Sequence, residues 1–218
     1  QARNLECEII SYAQALGELT RQYITIAISG AHGKSTTTAL LSLMLMEAGL
    51  DPTVIVGTKL REFNPKDGGN NFRLGQSRYL IIEADEYNKS FLHYYPTVAI
   101  ITNIDKEHLD TYQNLNNVIN TFAQYFENIN GFGALVTNAK DQNSSQALKI
   151  WRSNQSMRGG LKCPRFQAPS KAKRWPLKIH GSFNQLNAEA AWQAAKFLGV
   201  TRSVAISAVS KYKGSWRR

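Results

Sequence analysis

Residues 23–37 read YITIAISGAHGKSTT. The first seven, 23–29, are short, β-branched and apolar, the make-up of a strand buried on both faces of a parallel sheet. Residues 36–48 then read as a helix stopped by Gly49. Between strand and helix lie Gly30, Ala31, His32, Gly33, Lys34, Ser35 and Thr36. A phosphate chain needs many hydrogen-bond donors and positive charge in a small space. Glycines let backbone N–H groups converge on the oxygens, and the helix N-terminus adds its dipole. Lys34 would reach the outer phosphates, and the Ser35 hydroxyl would sit on Mg²⁺. The string is GxxGKS, shorter than the GxxxxGK[ST] loop, which would require Gly where Ile28 stands. The competing reading is a glycine turn with a solvated lysine; the strand–loop–helix placement favours the phosphate site.

Outward from this stretch, further apolar strands are expected at 52–57, 78–84, 97–102 and 133–137, with helices at 5–21, 114–129, 187–198 and 203–211. Apolar strands alternating with helices define an α/β protein, here a P-loop-type, mostly parallel sheet flanked by helices. Residues 59–77 are polar and rich in Gly and Asn, and read as a small antiparallel excursion or an irregular loop. Residues 151–178 lose all periodicity and suggest short strands and loops.

Two more polar clusters fall at strand ends, where ligands of open parallel sheets gather. Glu83-Ala84-Asp85-Glu86 follows the strand at 78–84, and Asn103 to Asp110 (NIDKEHLD) follows the one at 97–102. A hard cation wants oxygen ligands, and Mg²⁺ typically takes one or two carboxylates and keeps its waters. Solvated charges at a helix start would explain either cluster alone. Three such clusters at three strand ends favour a phosphate and metal site.

Composition bounds the alternatives. The chain has 218 residues, 43% hydrophobic and 19% charged, as an ordinary globular protein does. Its two cysteines, Cys7 and Cys163, have no nearby partner and fit reduced cytoplasmic thiols. No apolar run reaches the roughly 18–20 residues of a membrane helix. The net charge of +10 is uneven: residues 1–149 hold 12 Lys and Arg against 15 Asp and Glu, whereas 150–218 hold 14 against 1. With Trp151, Trp175, Trp192 and Trp216 interspersed, that basic segment raises a nucleic-acid-associated ATPase as an alternative. No nucleic-acid-binding motif accompanies it.

Gly30–Thr37, EADEYNKSFL at 83–92 and TNIDKEHLDTY at 102–112 together resemble the central ATP-binding domain of the Mur ligase family. GSFNQLNAEAA at 181–191 resembles that family's G-x-H-N-x-x-N-A-x-A-A segment, and YKGSWRR at 212–218 its F-x-G-x-x-R-R exit. The resemblance covers roughly 20–218 apart from 140–178, and the short GxxGK[ST] loop is the family's form. It implies an ATP-dependent amide-forming ligase of peptidoglycan precursor synthesis, of the UDP-N-acetylmuramate plus L-alanine type. A carboxylate takes the γ-phosphoryl group, and an amine then displaces phosphate from the acyl-phosphate.

The resemblance also implies roles. Lys34, Glu83 and His108 would be catalytic; Ser35, Glu83 and His108 would hold Mg²⁺; Asn184 and Asn187 would meet the adenine. Phe183 stands where the family usually has His, and Asn88 where an acidic residue is common. Residues 1–22 would be a lead-in helix, 23–211 the ATP-binding domain and 212–218 the start of a linker. The UDP-sugar and the amino acid would be held mainly by domains outside this chain, with no specific nucleic acid and no membrane. The chain alone would bind nucleotide without completing ligation. Alternatives within the resemblance are a murein-peptide recycling ligase and a folylpolyglutamate-synthase-like ligase.

Overall fold

The computed structural model describes residues 9–64, 66, 68–154 and 161–215. Its strands are β1 (Ile24–Ser29), β2 (Thr53–Leu60), β3 (Asn70–Arg73), β4 (Tyr79–Glu83), β5 (Val98–Ile101), β6 (Ala134–Asn138) and β7 (Arg165–Phe166). Its helices are α1 (Tyr12–Gln22), α2 (Lys34–Glu47), α3 (Leu109–Tyr112), α4 (Leu115–Tyr125), α5 (Gln142–Ser153), α6 (Ser182–Phe197) and α7 (Arg202–Lys211). The strands form one seven-stranded sheet in the order β3-β2-β4-β1-β5-β6-β7. All pairings are parallel except β2 with β3, the expected antiparallel excursion.

Alternation along the central strands splits the core into two layers. Ile26 and Ile28 of β1 face α2, α6 and α7, whereas Ala27 faces the side covered by α4 and α5. The sheet packs α2 on one side, and α6 and α7 pack α2 on the other. That position accounts for the sequence of α2, KSTTTALLSLMLME, which has no polar face. Loss of one such side chain, Leu41→Ala for example, costs about 2–5 kcal/mol.

Several helix boundaries differ from the sequence reading. The first helix starts at Tyr12 rather than residue 5: Ser11 and Gln14 form a reciprocal capping box, and residues 9–11 are not helical. Residues 5–8 lie outside the described region. The helix expected at 187–198 begins at Ser182. Its first turn is hidden in the sequence because its polar residues bond outward: Gln185 pairs with the backbone of Trp175 in both directions, at 2.8 and 3.0 Å. Helix α5 was not legible, since only Ala147, Leu148 and Trp151 form a buried apolar stripe beside buried Ser144. Asp141 starts it, accepting from Ser144 N at 2.9 Å. Trp151 therefore sits in the last turn of a helix rather than opening a loop.

Trp151, Trp175 and Trp192 are buried. These rings are core and offer no stacking surface to a nucleic acid; Trp216 lies outside the described residues. Cys163 is a free thiol; Cys7 is likewise outside. Among the described residues no helix is long and apolar enough to cross a membrane.

Candidate functional site

Strands β4, β1 and β5 are neighbours, so the three polar clusters leave the sheet side by side at its carboxyl edge. The middle one is the glycine loop. Gly33 caps α2 in the left-handed conformation, φ 87°, and any Cβ there would strike Asn187 Oδ1 of α6. The loop is braced from β5 by Asn103. Its side chain accepts from His32 N at 3.0 Å and donates to His32 O at 2.9 Å, while its carbonyl accepts from Ala31 N at 3.2 Å. Asn103 stands in the quoted NIDKEHLD run, yet nothing in its spacing distinguished it from a turn residue.

Lys34 turns back over the loop. Its Nζ donates to Gly30 O at 2.8 Å and to both carboxylate oxygens of Glu86 at 2.9 Å, with Asp85 Oδ1 at 4.0 Å. Glu86 is only 3% exposed. Burial pushes its carboxyl above the usual carboxylate range, against the opposing pull of Lys34. Tyr112 OH donates to Glu86 O and holds that segment from behind, and burial in turn raises the Tyr112 phenol.

Ser35 Oγ donates to Glu83 Oε1 at 2.9 Å, and Gly57 N donates to Glu83 Oε2 at 2.7 Å. One carboxylate thus links the start of α2, the end of β4 and strand β2. His108 Nε2 lies 3.6 Å from Glu86 Oε1, and its ring is tilted against Tyr87 at 5.1 Å. His108 has φ 54°, an uncommon conformation for a non-glycine residue, held where the chain turns into α3.

The residues named for metal fall into two groups. Ser35 and Glu83 are bonded to each other. His108 joins Asp85 and Glu86, whose ligand atoms all lie within 4.8 Å of one another, the cluster of its kind among the described residues. Both groups are rich in hard oxygen donors, which fits a cation such as Mg²⁺. Asp85 and Glu86 were legible as carboxylates, but their partnership with Lys34 and His108 required the fold. On the surface, His32 Nδ1 lies 3.4 Å from Glu107 Oε1.

On the far side of the loop a cavity of about 530 Å³ opens between His32, Gly33 and Thr36 and the start of α6. Asn184 and Asn187 line it together, one turn apart and joined by an Asn187 Nδ2 to Asn184 Oδ1 bond of 3.2 Å. A second cavity, about 620 Å³, lies between α1, β2 and the turn at Tyr87–His93, with Glu83 and Asp85 on its wall.

A parallel sheet that delivers a glycine loop, its lysine and two acidic strand ends to one edge has the architecture of a P-loop phosphate-binding domain. Residues 28–195 match the family model described as the Mur ligase middle domain, and the chain belongs to that family. It is similar to the UDP-N-acetylmuramate–L-alanine ligase of Borreliella afzelii (strain PKo), 43% identical over 152 residues, or 70% of this chain and 31% of the relative. It is also similar to the enzyme of that name from Aquifex aeolicus, 35% identical over 237 residues, covering 100% of this chain and 51% of the relative. The chain thus spans about half the length of the curated relatives that match it throughout.

Among solved structures, it resembles the UDP-N-acetylmuramate:L-alanyl-gamma-D-glutamyl-meso-diaminopimelate ligase from Neisseria meningitides. That likeness has a TM-score of 0.81 and 25% identity, covering 99% of this chain and 74% of that one. The UDP-N-acetylmuramate–alanine ligase of Thermotoga maritima shares the fold, with a TM-score of 0.72 and 23% identity over 95% of this chain and 49% of that one.

Proposed function

We propose that this chain is the ATP- and magnesium-binding section of a cytoplasmic ligase that joins the carboxylate of UDP-N-acetylmuramate to L-alanine. The observation that carries the reading is Lys34, poised over the glycine loop between Gly30 O and Glu86 at the junction of three strand ends. The loop N–H groups and Lys34 would hold the phosphates of ATP. Ser35 and Glu83 on one side, and His108 on the other, would hold the cation. Bound Mg²⁺ would neutralise charge on the phosphate oxygens. Asn184 and Asn187 would meet the adenine.

The chain's part is positioning and charge neutralisation. The acceptor carboxylate attacks the γ-phosphorus, the bond to the β-phosphate oxygen breaks, and ADP leaves. The amine of L-alanine then attacks the acyl carbon, phosphate departs, and the amine gives up a proton. The sugar and the amino acid would be bound mainly outside this chain, consistent with its spanning about half of its relatives.

Incubation of the full-length parent with ATP, UDP-N-acetylmuramate and L-alanine tests this: ADP, phosphate and the amide should appear in equal amounts. The Neisseria neighbour favours a second reading, a ligase that attaches a ready-made peptide. Amide formation with L-alanyl-γ-D-glutamyl-meso-diaminopimelate, and none with L-alanine, would select it.

A further inference from the structure

Strand β7 ends the sheet, and among the described residues no strand lies on its outer side. The segment that carries it bonds to β6 through alternate residues. Lys162 N donates to Gly133 O, and the carbonyls of Lys162, Pro164 and Phe166 accept from the N–H groups of Leu135, Thr137 and Ala139. Successive residues of a strand direct their backbone groups to opposite edges, so the N–H and C=O of Cys163 and Arg165 face outward. Pro164 sits at a position that bonds toward β6, so the outer edge keeps its donors. An open edge of this kind is a template for one more strand.

Cations stand on both faces of the edge. On one face Arg165 Nη2 donates to Ala139 O at 2.9 Å and to Ser145 Oγ at 2.8 Å. Those two residues border a cavity of about 380 Å³ whose wall also includes Lys140, Gln142, Gln146 and Lys149, with no Asp or Glu. Asp141, between them in the chain, is committed to Ser144 N at 2.9 Å and Ile104 N at 3.1 Å. On the other face Lys162 lies over the Phe197 ring at 5.5 Å, with exposed Lys196 next to Phe197 in the chain. The only acid after residue 150, Glu189, accepts from Trp175 Nε1 and Gln193 Nε2, each at 3.0 Å. Among the described residues Lys140, Lys149, Lys162 and Lys196 have no ion pair.

These charges decide what the edge accepts. A second copy would bring cations against cations. A nucleic acid would find Trp151, Trp175 and Trp192 buried, and its backbone has no N–H for the outward carbonyls. An extended acidic peptide meets both demands. Its main chain supplies N–H and C=O groups at strand spacing, and its carboxylates reach the cations on either face.

We propose that the outer edge at 163–165 is a docking site for an extended acidic segment of a partner protein, which adds a strand to the sheet and places a carboxylate in the cavity between Lys140 and Lys149. Strands β5 and β6 separate this edge from β1 and the glycine loop, so the inference does not rest on the nucleotide reading.

Fluorescence anisotropy tests it, with the full 218-residue chain titrated into a labelled peptide of Glu-Glu-Val repeats, about six residues long as strands usually are. The peptide should bind at physiological salt. Lys149→Ala combined with Lys162→Ala should weaken it about 2- to 25-fold, the range of two surface charge pairs. The same peptide N-methylated along its backbone keeps its charge and loses its donors. It should bind about 5- to 150-fold more weakly, as expected for two lost backbone hydrogen bonds. The methylated probe needs no variant, so the test stands even where a substitution disturbs the fold. The proposal is overturned by a wild type that does not bind the peptide, by equal affinity for the methylated form, or by unchanged affinity in the double variant. Tighter binding of single-stranded oligothymidylate than of the peptide also overturns it, and makes the basic surface a nucleic-acid site.

Discussion

The ammonium group of Lys34 is held by both carboxylate oxygens of Glu86, each at 2.9 Å. The two residues come from different elements, the start of α2 and the segment after β4. A polyphosphate bound at Lys34 would therefore exchange one anion for another, and its net gain would be smaller than at a solvated lysine. Releasing Glu86 leaves its carboxylate facing His108, 3.6 Å away.

Lys34→Ala should weaken MgATP and tripolyphosphate alike, by about 1.5–3 kcal/mol for the lost charge-assisted bonds. It should also destabilise the fold, because Glu86 would stay buried without its cation. Lys34→Ala combined with Glu86→Gln separates the two effects: stability should largely return and affinity should not. Calorimetry and urea denaturation on the single and double variants check this. Affinity restored by the second substitution would mean that Glu86, rather than Lys34, governs anion binding.

Glu86 also sets a pH dependence. Its native carboxyl lies above the ordinary 4.5, chiefly through burial, with Lys34 pulling the other way. From 4.5 up to the raised native value, the folded protein holds a proton that the unfolded chain has lost. Stability contributed by this group therefore falls as pH rises through that window, and levels off above it. Glu86→Gln lacks the titration. Urea midpoints between about pH 4 and pH 8 should show the variant gaining on the wild type as pH rises. A variant that instead loses ground to the wild type as pH rises would show that Lys34 outweighs desolvation.

The sheet was legible because its central strands are continuous apolar runs, and each ends in a cluster of unlike chemistry. Strands at 23–29, 78–84 and 97–102 fall within about a residue of β1, β4 and β5, and their adjacency follows from parallel topology. What the sequence concealed were partnerships across space. Glu83 and Glu86 lie three residues apart and look equivalent, yet one bonds Ser35 and Gly57 while the other is buried against Lys34. Asn103 reads as a turn residue and proves to be the brace of the loop. Helix starts failed where polar side chains form caps and tertiary bonds, as at Ser11 and Gln185.

Glu83→Gln tests the metal assignment. The amide keeps the carboxylate's shape and can still accept from Ser35, but it removes the charge that a hard cation prefers. Magnesium should then enhance ATP binding less than in the wild type, with a smaller loss in His108→Ala. Titrating Mg²⁺ at fixed ATP reads both. Full magnesium enhancement in both variants would remove Ser35–Glu83 and His108 as cation sites.

The isolated chain should bind nucleotide and fail to ligate. The chain spans about half of the relatives that match it throughout, and the proposed reaction needs two further reactants held in place. The acceptor carboxylate must lie in line with the γ-phosphate, and the amine must then lie against the acyl-phosphate. Such positioning can account for roughly 7–11 kcal/mol of a barrier. The acyl-phosphate must also be shielded from water until the amine arrives, which calls for closure over the open sheet edge. Phosphate release from ATP should therefore stay near background when UDP-N-acetylmuramate and L-alanine are added, and chromatography should find no amide. MgATP binding should remain measurable in the same preparation. Sustained turnover by these 218 residues, abolished by Lys34→Ala, would show that the chain holds both acceptor sites itself, and the cavity bordered by Glu83 and Asp85 would be the first place to look for them.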